Sequence, residues 1–143
     1  MNVETILKGK GRSVVTILPE ASIGEAADLL KRKGIGAVVV TAGDGVIIGI
    51  LSERDIVHAL AEHGATLLDL QVSALMTRHV FTCKAEDSLA GLMGEMTRRR
   101  IRHLPVVDAG RLAGIVSIGD VVKNRLDEVE EEATTLRQFI TTA

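Results

Sequence analysis

The stretch GILSERD, from Gly49 to Asp55, closes an apolar run and precedes a segment with helical periodicity. The related stretch GIVSIGD, from Gly114 to Asp120, stands in the same position after a second apolar run. Each stretch predicts a strand-to-helix turn in which an aspartate follows a serine by three residues. Two roles fit this pattern. The turns either cap helices or form two halves of a ligand-binding device.

The composition indicates a globular protein with an aliphatic core. The chain has 143 residues, of which 46% are hydrophobic and 1% aromatic, and its formal net charge is −2. This charge balance gives no reason to expect nucleic acid or an anionic membrane as a partner. The single cysteine, Cys83, favours a reducing compartment. We therefore expect a cytoplasmic protein without a signal peptide or membrane span.

The chain contains an internal repeat. A shift of 66 residues lays Val14–Ile35 over Val80–Ile101 without a gap, and upstream the segment VETIL corresponds to VSALM at a shift of 69. The apolar residues of both segments recur at the spacing of one helical face. Length changes fall at glycine-containing turns, as expected for a duplicated fold.

Each repeat predicts the order β-α-β-β-α after a short leading helix. The first strand of each unit is expected around Thr16 or Thr82, and the helix after it begins at a capping-box serine in the first repeat. Alternating helices and strands indicate an α/β (α+β) fold with layered elements. We assign residues 1–70 to the first repeat, 71–126 to the second and 127–143 to a C-terminal helical extension.

The C-terminal helix carries an apolar seam with heptad steps. The seam lasts less than three heptads, so it fits either an amphipathic helix that covers its own domain or a contact in a dimer. Its members are Val122, Leu126, Val129, Ala133, Leu136 and Ile140.

The two serine-aspartate turns fit either capping or binding, and for a single turn capping is the commoner role. A serine with an acid three residues later is a capping-box pattern. The same helix N-terminus offers backbone N–H groups to a phosphate, and an aspartate can accept both hydroxyls of a ribose. Spacing alone does not separate the two roles.

The whole chain resembles a tandem pair of cystathionine-β-synthase-type (CBS) domains, known as a Bateman module. The resemblance rests on both turns, on RHLPVVD at Arg102–Asp108 and on VSALMT at Val72–Thr77. It implies two repeats related by a pseudo-two-fold axis, with two clefts between them. It also implies a homodimer and adenine ligands in the clefts: AMP first, with ADP, ATP, NAD(H) or S-adenosylmethionine as further candidates.

The resemblance assigns roles to particular residues. Asp55 and Asp120 are expected to hold ribose hydroxyls, and Ser52 and Ser117 to approach phosphate. Arg102 and His103 are further candidates for phosphate contacts, as are Arg54, Arg78 and the arginines of TRRRIRH. The residues expected to line or pack beside the adenine pocket are Thr16, Gly36, Ala37, Met76, Thr82, His103, Leu104 and Pro105.

Differences between the repeats predict different ligand preferences. Arg102 and His103 of the second repeat correspond to Gly36 and Ala37 of the first, which we expect to leave open space. One cleft is therefore expected to take a mononucleotide and the other a larger or dinucleotide ligand.

The leading functional hypothesis is a nucleotide sensor that acts in trans on a protein partner. The alternative is a structural dimerisation scaffold without ligand switching. Since the sequence has no Walker lysine, nucleophile elbow or metal-ligand spacing, we expect neither an enzyme nor a metal site.

Overall fold

The computed structural model describes residues 1–142 and contains two similar halves. The elements of the first half are α1 (Val3–Lys10), β1 (Thr16–Ile17), α2 (Ile23–Lys33), β2 (Ala37–Thr41), β3 (Ile47–Ser52) and α3 (Glu53–His63). A 3-10 helix (Gly64–Asp69) follows. The elements of the second half are α4 (Val72–Leu75), α5 (Leu89–Arg99), β4 (His103–Asp108), β5 (Arg111–Ser117) and α6 (Ile118–Thr142). The predicted mixed α/β fold with two repeats is confirmed.

The first half builds a three-stranded sheet in the order β1-β2-β3. Strand β1 pairs in parallel with β2, and β2 pairs antiparallel with β3, so that Ala37 lies opposite Ser52. Every residue of β2 is buried, because helices cover this strand and it lies between two others. This register places the start of β2 beside the Ser52 turn.

The second half has a two-stranded sheet, in which β4 pairs antiparallel with β5 and His103 lies opposite Ser117. The strand predicted around Thr82 is wrong. Only a single bridge forms there, between Cys83 and Val106. In the first half, the N–H of Val39 donates to the carbonyl of Val15. The equivalent residue in the second half is Pro105, which has no N–H to donate, and the strand is correspondingly shortened.

The leading helix of each repeat packs in the core of the other half. Val3, Ile6 and Leu7 of α1 are buried in the core of the second half, together with residues of α5, β4 and β5. Val72 of α4 and the adjoining Met76 are buried in the core of the first half. The two halves are therefore linked through their cores, and the boundary predicted at residue 70 divides the sequence but not the packing.

The glycines that open the two quoted stretches make this exchange sterically feasible. A Cβ atom built at Gly49 would lie 2.5 Å from Met76 Sδ. A Cβ atom built at Gly114 would lie 2.8 Å from Leu7 Cδ2. Both distances are shorter than packed side chains tolerate, so each glycine admits a side chain from the borrowed helix.

Helix α6 continues through the predicted boundary at residue 126 without a break, and Ala143 lies outside the described residues. Its apolar contact with the domain includes the buried Val121 and the half-buried Ile118. The seam residues Leu126 and Leu136 are each 59% exposed. The alternative in which this seam covers its own domain is therefore wrong. Within residues 1–142, no helix combines the length and the apolar character needed to cross a membrane.

Candidate functional site

Both serine-aspartate turns form reciprocal helix caps. The N–H of Asp55 donates to Ser52 Oγ at 3.2 Å, and the N–H of Ser52 donates to Asp55 Oδ2 at 2.9 Å. The N–H of Asp120 donates to Ser117 Oγ at 3.2 Å, and the N–H of Ser117 donates to Asp120 Oδ2 at 2.9 Å. The capping interpretation is confirmed for both turns.

Capping leaves few polar groups of the first turn free for a ligand. The N–H of Glu53 donates to the carbonyl of Gly36, and the hydroxyl of Ser52 donates to Asp55 Oδ2 at 3.1 Å. The backbone N–H of Arg54 and the Oδ1 atom of Asp55 form no hydrogen bond with any group in residues 1–142. Arg54 and Asp55 are therefore the groups of this turn that can still bind.

A cavity of about 270 Å³, here called the first cleft, opens beside this turn. The turn contributes one wall, and the other wall comes from two segments of the second half. One of these segments leads from α4 toward Cys83, and the other lies between α5 and β4. The lining residues are Gly36, Ala37, Ile50, Ser52, Glu53, Arg54, Asp55, Thr77, His79, Val80, Phe81, Arg100, Ile101, Arg102 and His103.

Backbone and aromatic contacts hold the far wall of the first cleft. Thr77 and Ile50 exchange two backbone hydrogen bonds, of 2.9 and 3.0 Å. The rings of His79 and Phe81 meet edge to face with their centroids 5.0 Å apart. The guanidinium of Arg99 lies 4.0 Å from the centroid of Phe81, a cation–π distance. The wall is therefore fixed in place by the exchange of leading helices.

His103 fills the space next to Gly36. A Cβ atom at Gly36 would lie 3.1 Å from His103 Cε1, so the expectation of open space at Gly36 is wrong. Burial lowers the pKa of His103 below its ordinary value, although the nearby Glu53 carboxylate opposes the shift. Burial therefore favours the neutral imidazole, which can offer a hydrogen bond to a ligand.

The second turn differs from the first because its aspartate, Asp120, forms an ion pair with a lysine. Lys10 Nζ lies 2.7 Å from Asp120 Oδ2. Partial burial would raise the pKa of Asp120, but hydrogen bonds from Lys10 and Ser117 outweigh that effect and hold the pKa below its ordinary value. Lys10 corresponds to His79 in the repeat alignment. The two turns thus face different cationic or polar groups at equivalent positions.

Several predicted residues lie outside the first cleft. Thr16 is exposed on β1, while Met76 and Pro105 are buried in the interior. Thr82 and Leu104 line a separate cavity of about 400 Å³ beside α5. The structure does bring together eight of the predicted residues in the first cleft: Gly36, Ala37, Ser52, Arg54, Asp55, Arg100, Arg102 and His103.

Sequence reasoning missed the residues contributed by the exchanged segments. Thr77, His79, Val80 and Phe81 follow α4, and their position in the first cleft depends on α4 crossing to the other half. The available signal was the shift of 69, which aligns TRH at residues 77–79 with KGK at residues 8–10. Among the described residues, no group of three or more His, Cys, Asp or Glu side chains is arranged to hold a metal ion.

The chain matches known proteins along most of its length. The sequence model of the CBS domain matches residues 11–62 and 72–127. CBS domain-containing protein YhcV of Bacillus subtilis is 34% identical over 113 residues, which cover 79% of each chain.

Solved structures share the fold. The CBS-domain containing protein ATU1752 from Agrobacterium tumefaciens is 53% identical with a TM-score of 0.85, covering 87% of this chain and 99% of that one. The CBS domain pair of protein MJ0100, described in complex with 5′-methylthioadenosine and S-adenosyl-L-methionine, is 27% identical with a TM-score of 0.78. That match covers 90% of this chain and 98% of the other. The chain belongs to the CBS domain family and contains two CBS repeats.

Proposed function

We propose that this chain is a regulatory module that binds an adenosine-containing ligand in the first cleft. The observation that carries the proposal is the cavity in which the Ser52–Asp55 turn faces polar and apolar side chains of the second repeat. The structure of the MJ0100 CBS pair in complex with 5′-methylthioadenosine and S-adenosyl-L-methionine supports an adenosine-containing ligand.

Each part of such a ligand meets a suitable part of the cleft. Ile50, Val80 and Ile101 offer an apolar surface for an adenine ring. The unengaged carboxylate oxygen of Asp55 can accept ribose hydroxyls. The N–H and guanidinium of Arg54 can donate to phosphate oxygens, because guanidinium groups match phosphate geometry. A contact from Ser52 to phosphate would require its hydroxyl to release Asp55.

Size and charge favour AMP among the candidate ligands. Ligand cavities typically measure about 300–1,000 Å³, so a cavity of about 270 Å³ suits a mononucleotide better than NAD(H). Arg54, Arg100 and Arg102 outnumber the acids Glu53 and Asp55 among the lining residues. This positive balance favours a phosphate over the sulfonium of S-adenosylmethionine. ADP and ATP remain the next candidates, with their outer phosphates toward solvent.

We infer a different preference for the second turn. A ligand that uses Asp120 must displace Lys10 or place a phosphate against its ammonium. This requirement favours a phosphorylated ligand there and lowers the affinity for an uncharged nucleoside. The two clefts are therefore proposed to bind with unequal affinity.

Regulation in trans requires that the ligand bind two arrangements of the protein with different affinity. The first cleft meets this requirement in principle, because its walls belong to different repeats and a ligand between them can change their spacing. A protein partner, or a second copy of the chain, would detect that change. We place the function in the cytoplasm and propose no catalytic step.

Thermal melting against AMP, ADP, ATP, NAD⁺, NADH, S-adenosylmethionine and 5′-methylthioadenosine tests the proposal. A ligand that binds the native state raises the melting temperature by mass action. We expect the largest rise with AMP, and we expect Asp55→Asn to abolish most of it. Asp127→Asn, an exposed substitution of the same type on α6, should leave the rise unchanged. No rise with any of these ligands would favour the dimerisation scaffold instead.

A further inference from the structure

His103 lies where the two halves of the molecule meet. It begins β4 of the second half and lines the first cleft, whose serine-aspartate turn belongs to the first half. A Cβ atom built at Gly36 would lie 3.3 Å from His103 Nε2 and 3.7 Å from Glu53 Oε2. The imidazole therefore sits beside the start of α3, close to the Glu53 carboxylate.

The imidazole of His103 is available to a ligand in the first cleft. The side chain is half-buried. Burial and neighbouring charges shift its pKa, but no hydrogen bond from residues 1–142 is among the influences on that pKa. A protonated imidazole has two N–H donors, so in that form His103 can both donate to a ligand oxygen and present a positive charge to it.

Charges of both signs surround the imidazole of His103. Glu53 of α3 and Asp120 of α6 favour its protonated form. Lys10 of α1 and the adjacent Arg102 disfavour that form, and burial, the largest influence, lowers the pKa further. Since two acids oppose two cations, an additional anion in the cleft would shift the balance toward the protonated imidazole. The other charged or titratable side chains that line the cleft are Arg54, Asp55, His79 and Arg100.

We propose that His103 takes up a proton from the solvent when a phosphorylated ligand enters the first cleft, and that this step makes the cleft prefer phosphorylated adenosine compounds to uncharged ones. The proposal rests on the ligand class proposed above. A phosphate that accepts the free N–H of Arg54 would lie one residue from Glu53 and thus close to the imidazole. The protonated ring would attract this phosphate and offset the repulsion between the phosphate and the Glu53 carboxylate.

His79 is the second histidine among the lining residues, but its exposure makes it less responsive to the charge of a ligand. Water and salt screen the interactions of an exposed group, whereas those of a partly buried group are screened much less. The ring of His79 also packs edge to face against Phe81. His103, which is half-buried and lies beside Glu53, is therefore the histidine whose protonation should be coupled most strongly to a bound phosphate.

Proton uptake makes the affinity for a phosphorylated ligand depend on pH. A bound phosphate raises the pKa of His103, so binding becomes tighter as the pH falls toward the pKa that His103 has in the free protein. If the phosphate raises this pKa by about one to two units, the affinity at pH 6.5 should be about two- to tenfold higher than at pH 8.0. A ligand without a phosphate should show no such gain.

Calorimetric titration of AMP and of 5′-methylthioadenosine, at pH 8.0 and at pH 6.5, tests the proposal. Each titration is repeated in buffers with different ionisation enthalpies, which gives the number of protons taken up on binding. Since the phosphate of AMP itself titrates near pH 6, the contribution of His103 is the difference between the unmodified protein and His103→Gln. We expect the variant to lose the proton uptake and the gain in AMP affinity at pH 6.5. We expect 5′-methylthioadenosine to bind both proteins without proton uptake.

Two further histidine variants serve as controls. His79→Gln should keep the proton uptake, whatever its effect on affinity, and His58→Gln, at an exposed position of α3 outside the cleft, should change neither.

An NMR titration of the His103 imidazole tests the proposal in the unmodified protein. Saturating AMP should raise its midpoint by about one to two pH units, and 5′-methylthioadenosine should not raise it. AMP binding with an unchanged His103 midpoint, or proton uptake that His79→Gln abolishes and His103→Gln retains, would overturn this inference and leave the proposed function standing. Absence of AMP binding at both pH values would overturn both.

Discussion

The exchange of leading helices predicts that a methyl group at Gly49 destabilises the protein. The Cβ atom of Gly49→Ala would lie 2.5 Å from Met76 Sδ, 2.9 Å from Met76 Cγ and 3.1 Å from the carbonyl oxygen of Thr77. Met76 is 8% exposed and packs in the core of the first half. The Thr77 carbonyl cannot withdraw easily, because two backbone hydrogen bonds tie Thr77 to Ile50, and the core around Met76 limits the space into which its side chain can move.

Overpacking of this kind typically costs about 1–3 kcal/mol. For a chain of this size, each kcal/mol lowers the melting temperature by about 4 °C, so we expect a decrease of roughly 4–12 °C. Urea unfolding monitored by circular dichroism measures the free energy directly.

Gly94→Ala is the matched control. Gly94 lies on the exposed side of α5, with no atom within 4 Å of an added Cβ, and alanine there should stabilise the helix by about 0.8–1 kcal/mol. In a double-mutant cycle, Met76→Ala should relieve much of the cost of Gly49→Ala, since it removes the colliding atoms. A Gly49→Ala protein as stable as the original, or strictly additive effects in the cycle, would refute the reasoning.

Three further predictions concern titratable groups. Burial raises the pKa of Cys83 to about 12, so the native thiol should not react with Ellman's reagent at pH 8 and should react fully in urea. Interactions with Lys10 hold the pKa of Asp120 below its ordinary value despite partial burial. They therefore stabilise the fold above pH ~4, and this stabilisation is lost as the pH falls through the pKa that Asp120 has in the folded protein. Lys10→Met should therefore flatten the loss of stability between pH ~5 and ~2 in urea unfolding; an unchanged slope would argue against the ion pair. Burial likewise lowers the pKa of His103, so the fold should lose stability as the pH falls below the ordinary pKa near 6.5, and an NMR titration of its imidazole should show a midpoint below that value.

Local sequence signals predicted most of the elements and both turns. Serine followed by aspartate at a three-residue interval indicated the caps at Ser52 and Ser117, and such caps form from neighbouring residues alone. The internal repeat predicted the order of the elements, because duplicated segments fold alike. The prediction of a strand around Thr82 failed because the segment that it pairs with contains Pro105, which has no N–H to donate.

The composition of the first cleft could not be derived from local signals. The positions of His79, Val80 and Phe81 depend on the packing of α4 against the first half, which is a long-range consequence of the exchange. The pairing of Lys10 with Asp120 has the same origin, since α1 packs in the core of the second half. Gly49 and Gly114 open the two quoted stretches, but the side chains that approach them, Met76 and Leu7, become evident only in three dimensions.

Calorimetric titration of AMP into the protein and its Asp55→Asn variant tests the central claim most directly. Asparagine retains one oxygen that can accept the N–H of Ser52 and maintain the cap, but it loses the charged acceptor for ribose hydroxyls. Since a hydrogen bond to a charged group contributes about 1.5–3 kcal/mol, we predict an affinity roughly 10- to 150-fold weaker in the variant. Equal affinity in both proteins would contradict the assignment of the ligand to the first cleft.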